Sequence, residues 1–109
     1  ENYNDYYENE DVNTNGILGS WINTNNNGIW TFKEDEYIMD YSSAFPGDYS
    51  NDAVKIRQLD PIHVPCQIEG NYLIYTMSGV SYRNRFDISG NTLTIINSVS
   101  GQSTTYKRK

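Results

Sequence analysis

From Ile17 onward, short apolar alternations are broken by turn residues about every ten positions. Segments of that length with a period of two read as strands, and breaks that close together make neighbouring strands antiparallel. The segments are Ile17–Ile22, Gly28–Phe32, Tyr37–Tyr41, Ala53–Leu59, Val64–Ile68, Tyr72–Met77, Val80–Ile88, Thr92–Asn97 and Ser103–Lys107. Nine segments point to an all-β sandwich or barrel of about eight strands, with one segment merged or lost.

The breaks have a chemical basis. Asn25–Gly28, Glu69-Gly70-Asn71 and Ser89-Gly90-Asn91 supply residues that tolerate a positive φ, as tight hairpins require. Pro46-Gly47-Asp48 marks a further loop. Asp60–Pro65 holds two prolines, which cannot donate to a ladder, so this stretch reads as an irregular crossing or an edge. Ile68-Glu69-Gly70-Asn71-Tyr72-Leu73 and Ile88-Ser89-Gly90-Asn91-Thr92-Leu93 match at I-x-G-N-x-L, twenty residues apart. The match predicts a repeated hairpin with Leu73, Tyr75, Leu93 and Ile95 on one inward face.

Alternation assigns the remaining faces. Trp30 and Phe32 point together, as do Val54 and Ile56, and Phe86 and Ile88, with Lys55, Arg57, Arg83, Arg85 and Asp87 opposite. One apolar and one wet face suit an antiparallel barrel or sandwich better than a helix-covered parallel sheet. Ten Tyr, two Trp and three Phe in 109 residues supply bulky strand side chains for the inside. Residues 1–15 differ: acids, Asn and three Tyr with almost no aliphatic residue, which predicts a flexible acidic tail ahead of a single domain over residues 16–109.

Several function classes fall away on composition. The net charge is −6, and the only cationic cluster is Lys107-Arg108-Lys109, so nucleic-acid binding has no electrostatic footprint. Cys66 and His63 are each the only residue of their kind, which excludes an intrachain disulfide and any Cys/His zinc spacing. No cofactor or metal is expected. No apolar run reaches the length of a membrane span. An opening at Glu1 without Met, on polar acidic residues, is read as a mature secreted protein or lipid-anchored ectodomain, hence an extracytoplasmic location.

Catalysis would need convergent groups, and few are offered. Cys66 and His63 lie near one irregular segment, but nothing turns both to one side. Glu34, Asp35, Glu36, Asp40, Asp48, Asp52 and Asp60 read as a solvated acidic rim, with no calcium-loop spacing among them. The chain is therefore expected not to be an enzyme.

Gly19-Ser20-Trp21, then Thr31-Phe32, and the closing Thr105-Tyr106-Lys107-Arg108 together resemble small bacterial lipocalin-like domains of the calycin group. The resemblance spans roughly Ile17 to Lys109. It implies a short antiparallel up-and-down barrel in which Trp21 packs across a closed base and Arg108 lies over its ring. It also implies a small apolar ligand in the lumen. Strands this short enclose a lumen that side chains can largely fill.

Two expectations about binding follow. In the first, Trp30, Tyr37, Met39, Tyr75, Met77 and Phe86 line an apolar pocket of at least about 300 Å³, open at the loop end. In the second, the barrel is filled and the domain is a protein-interaction module, an inhibitor, an immunity factor or a stalk domain of a surface protein, that engages its partner through Tyr41, Phe45, Tyr49 and Tyr82. The second requires those aromatics to form one exposed patch.

Overall fold

In the computed structural model, which describes residues 16–109, the turn cadence becomes one antiparallel sheet. Its strands are β1 (Gly19–Asn23), β2 (Ile29–Phe32), β3 (Glu36–Asp40), β4 (Ile62–Pro65), β5 (Gln67–Glu69), β6 (Tyr72–Met77), β7 (Val80–Ser89), β8 (Thr92–Ile96) and β9 (Ser103–Arg108). The order β4-β3-β2-β1-β9-β8-β7-β6-β5 joins sequence neighbours throughout, except where β1 pairs with β9 through Trp21↔Arg108 and Asn23↔Tyr106. This is an up-and-down arrangement, and the sheet curls into a nearly closed barrel.

The strands at the two ends of that order are consecutive in the chain. Only Cys66 separates β4 from β5, so they are two halves of one bent strand, the first paired with β3 and the second with β6. Counted as one, they leave eight strands in the wall, and the bend falls inside the expected segment Val64–Ile68. The Cys66 N–H donates to the Asp35 carbonyl at 3.0 Å, which holds the bend against the β2–β3 turn. The expected edge at the two prolines is β4, whose last residue is Pro65.

The repeated hairpins form as the sequence pattern requires. Ile68 pairs with Leu73 and Ile88 with Leu93, around two-residue loops with Gly70 at φ 57° and Gly90 at φ 60°. The equivalence extends to the next strand: the Asn71 carbonyl accepts from Phe86 N at 2.7 Å, and the Asn91 carbonyl from Arg108 N at 2.8 Å. Leu73 and Leu93 are buried, and Tyr75 and Ile95 pack against the same core.

One expectation is corrected. Ala53–Leu59 is no strand; residues Asn51–Arg57 form the helix α1, the only segment of the described core sequence to change class. The four-residue alternation Val54-Lys55-Ile56-Arg57 is too short to decide between periods. The ends decide instead: the Ser50 Oγ accepts from Ala53 N at 3.3 Å, Asp52 occupies the first turn, and Lys55 and Arg57 the last. Arg57 then orders the preceding loop, donating to the carbonyls of Ala44 at 3.0 Å, Phe45 at 2.6 Å and Asp48.

The core closes one end of the barrel. Trp21, Phe86, Ile17 and Leu93 are its largest fully enclosed side chains. The Trp21 Nε1 donates to the Ile17 carbonyl at 2.8 Å, and the Arg108 guanidinium carbon lies 3.9 Å above the indole. Arg108 also donates to the carbonyls of Leu18 at 3.2 Å and Gly16 at 2.6 Å, tying β9 to the segment that plugs this end. The tail assigned to residues 1–15 lies outside the described residues.

Candidate functional site

Above that plug the inward faces of six strands leave one cavity of about 120 Å³, lined by Trp30, Phe32, Tyr37, Leu73, Tyr75, Asn84, Ile95, Asn97, Thr104 and Tyr106. Each lies where strand alternation puts it. Trp30 and Phe32 stand two apart on β2, Leu73 and Tyr75 on β6, and Thr104 and Tyr106 on β9. Asn97 follows the end of β8, so the cavity reaches the end of the barrel that carries the β8–β9 turn.

Three of the six expected lining residues are there: Trp30, Tyr37 and Tyr75. The other three are corrected. Met39 and Met77 sit two residues beyond Tyr37 and Tyr75 on the same face and pack against the core without lining the cavity, and Phe86, 1% exposed, is enclosed in the core itself. The volume is also corrected, from at least about 300 Å³ to about 120 Å³. Strands of four to six residues around most of the wall bring aromatic rings across a short lumen, and the rings occupy most of it.

The lining is an aromatic network with a polar upper part. Tyr37 meets Tyr75 at 5.2 Å between centroids and 75°, and Trp30 meets Tyr106 at 5.6 Å and 60°. Tyr82 stacks behind Tyr75 at 5.0 Å and 19°, and Tyr41 meets Trp30 edge-on at 5.5 Å. Asn84, buried on the inward face of β7, donates from Nδ2 to the Tyr75 hydroxyl at 2.9 Å and accepts from Ser98 N on Oδ1 at 2.8 Å. This carboxamide couples the β8–β9 turn to the phenol in the lumen.

The tyrosines are held as neutral phenols. Burial, and then the neighbouring Tyr75 phenol, push Tyr37 far above the usual phenol range. Tyr106 is raised by burial and next by Tyr75, and Tyr75 and Tyr41 are raised first by burial. No charged side chain lines the cavity among the described residues. Asn84, Asn97, Thr104 and Tyr106 were missed as site residues, although Asn84 falls two positions from Phe86 and Tyr106 is registered against Leu93. Alternation places them inward, but their polarity reads as surface.

The other candidates separate in space. Cys66 is buried and its thiol is pushed up to about 11 by burial, whereas exposed His63 on β4 places Nδ1 3.0 Å from Glu36 Oε1 on β3. Around the bend Val64 and Cys66 are buried while His63 and Pro65 are exposed, so the thiol and the imidazole face opposite ways and do not meet. Asp40 and Asp48 are each held below the usual carboxylate range by the backbone N–H of a serine two residues on, Ser42 and Ser50. Among the described residues, no three His, Cys, Asp or Glu side chains are grouped to hold a metal ion. No helix among them is long and apolar enough to cross a membrane.

The aromatics of the second expectation are dispersed. Tyr41 packs on Trp30 and Tyr82 on Tyr75, Phe45 is half-buried against the loop that Arg57 orders, and Tyr49 alone, 83% exposed, is free of the body. Compared with family models, with curated proteins and with solved structures, the chain matches none.

Proposed function

We propose that this chain is a non-enzymatic, lipocalin-like binding barrel of the cell exterior that takes one small, compact ligand into its tyrosine-lined lumen. The carrying observation is the cavity of about 120 Å³ in which five aromatic rings and three polar side chains converge. Aromatic walls with a few placed polar groups are the ordinary make-up of a small-molecule site. The volume argues for a compact molecule over an acyl chain, since a cavity of about 150 Å³ takes a benzene-sized guest. The dispersal of Tyr41, Phe45, Tyr49 and Tyr82 favours this reading over a protein-binding surface.

The test is protein-observed NMR of the full chain against phenol, benzamide, indole, choline and a long-chain fatty acid. Saturable shifts of the Trp30 indole and of the Asn84 and Asn97 carboxamide signals with a compact probe are expected, and none with the fatty acid. If no compact probe moves those signals, the lumen is not a binding site and the proposal is wrong.

A further inference from the structure

We infer that the lumen cavity is an aromatic cage for a compact quaternary ammonium head group of the trimethylammonium type. This rests on the lumen being a binding site, as proposed above, and it names the class of ligand. Four observations converge on a cation without hydrogen-bond donors.

The first is the wall. Trp30, Phe32, Tyr37, Tyr75 and Tyr106 line the space, and two pairs among them touch edge to face, Tyr37–Tyr75 at 5.2 Å and 75° and Trp30–Tyr106 at 5.6 Å and 60°. In each steep pair the edge of one ring rests on the face of the other, Tyr82 covers one face of Tyr75, and Phe32 leans on Tyr37 at 5.7 Å and 39°, so a guest meets the faces that these contacts leave uncovered. Those faces carry the negative part of the ring quadrupole, and a cation within about 6 Å of several of them is attracted by each.

The second is what is missing from the lining and what sits near the mouth. No Lys or Arg among the described residues lines the cavity to repel a cation or to pair an anion. No carboxylate lines it either, so a primary ammonium would surrender its water for too few acceptors, whereas a methylated one has no N–H to satisfy. The connection between β3 and β4 lies at the same end of the barrel as Asn97. It carries Asp48, Asp52 and Asp60, with Asp40 at its start, against Lys55 and Arg57, and Arg57 is occupied by three carbonyls.

The third is size. A space of about 120 Å³ is slightly below the benzene-sized case, which limits the guest to one compact head group and excludes a fused ring system. The fourth is rigidity. Tyr75 is fixed by Tyr82 behind it and by the Asn84 carboxamide at its hydroxyl, so the cage requires little ordering when it fills.

The experiment compares choline with its uncharged tert-butyl isostere, in which carbon replaces the nitrogen, by titration of the full chain. Shape and apolar area are nearly equal, so the charge decides. We expect choline to bind at least about tenfold tighter, with shifts at Trp30 and Asn84. Tyr75→Phe keeps the ring and should keep that preference, while Tyr75→Leu removes one of five rings and should reduce it several-fold. Equal or tighter binding of the isostere overturns the cation assignment and leaves the compact-ligand reading standing. Failure of every compact probe to bind overturns both. Because the two-ligand comparison uses the unaltered chain, a variant that does not fold leaves the outcome readable.

Discussion

Replacing Arg108 by alanine removes three contacts from the closed end of the barrel. The guanidinium stack over Trp21 at 3.9 Å is worth about 0.5–1 kcal/mol at an exposed rim. The two hydrogen bonds to Leu18 and Gly16 add about 0.5–1.5 kcal/mol each. Both carbonyls are near water and regain partners there, so the lower part of that range applies and the sum is about 2 kcal/mol. With a urea slope of about 1–3 kcal/mol per molar, the unfolding midpoint should fall by about 1 M. Arg108→Lys keeps a charge near the ring but loses the fork that reaches two carbonyls together, so about half the loss is expected. Urea titration followed by tryptophan fluorescence reads both variants. An unchanged midpoint in the alanine variant, or equal losses in the two, would refute the stack-and-tie account of this end.

Gly28→Ala should destabilise by about 1–3 kcal/mol by overpacking, because the new Cβ would stand 2.8 Å from Trp30 Cζ3 and 3.0 Å from Asn26 Oδ1. A thermal midpoint within a degree or so of the parent's would contradict the packing described. Cys66 should resist alkylation near neutral pH in the folded chain and react once urea unfolds it, since its thiol is buried and raised to about 11; equal rates in both states would show that the bend is open. Tyr37, Tyr41, Tyr75 and Tyr106 hold their protons beyond the ordinary phenol value of 10.0, chiefly through burial. Folded chains then retain protons that unfolded chains release, so stability is intact below about pH 10 and falls as pH rises past it. Urea midpoints measured across that range should decline, and a flat profile would exclude neutral phenols in the core.

The wall was legible in the sequence because strand and turn chemistry agreed. Period-two runs end at residues that accept positive φ, and the I-x-G-N-x-L repeat carried both hairpins down to their register. Helix α1 was not legible from Val54-Lys55-Ile56-Arg57, where a short alternation outweighed Ser50 as a cap and the charges at each end. Three of the ten lining residues, Trp30, Tyr37 and Tyr75, were named as such because they announce themselves by size. Asn84 and Asn97 escaped because a carboxamide is read as a turn or surface group until a partner inside the barrel, here the Tyr75 hydroxyl for Asn84, is visible. Depth was the other hidden quantity: alternation says which residues point inward but not which layer of the lumen each reaches, and Met39, Met77 and Phe86 were misplaced for that reason.

The bend at Cys66 has a further consequence. A barrel whose ladder ran unbroken would offer no strand edge to another molecule, whereas here β4 and β5 each pair on one side only. Such half-edges are where chains recruit copies of themselves into fibrils. Pro65 removes a donor at the end of β4, Pro61 stands immediately before it, and β5 is three residues long with Glu69 at its end. An incoming strand therefore finds too few consecutive donors and acceptors to gain a foothold. The same two prolines that obscure this stretch as a strand thus also leave the break poor in the free donors that a further strand would pair with.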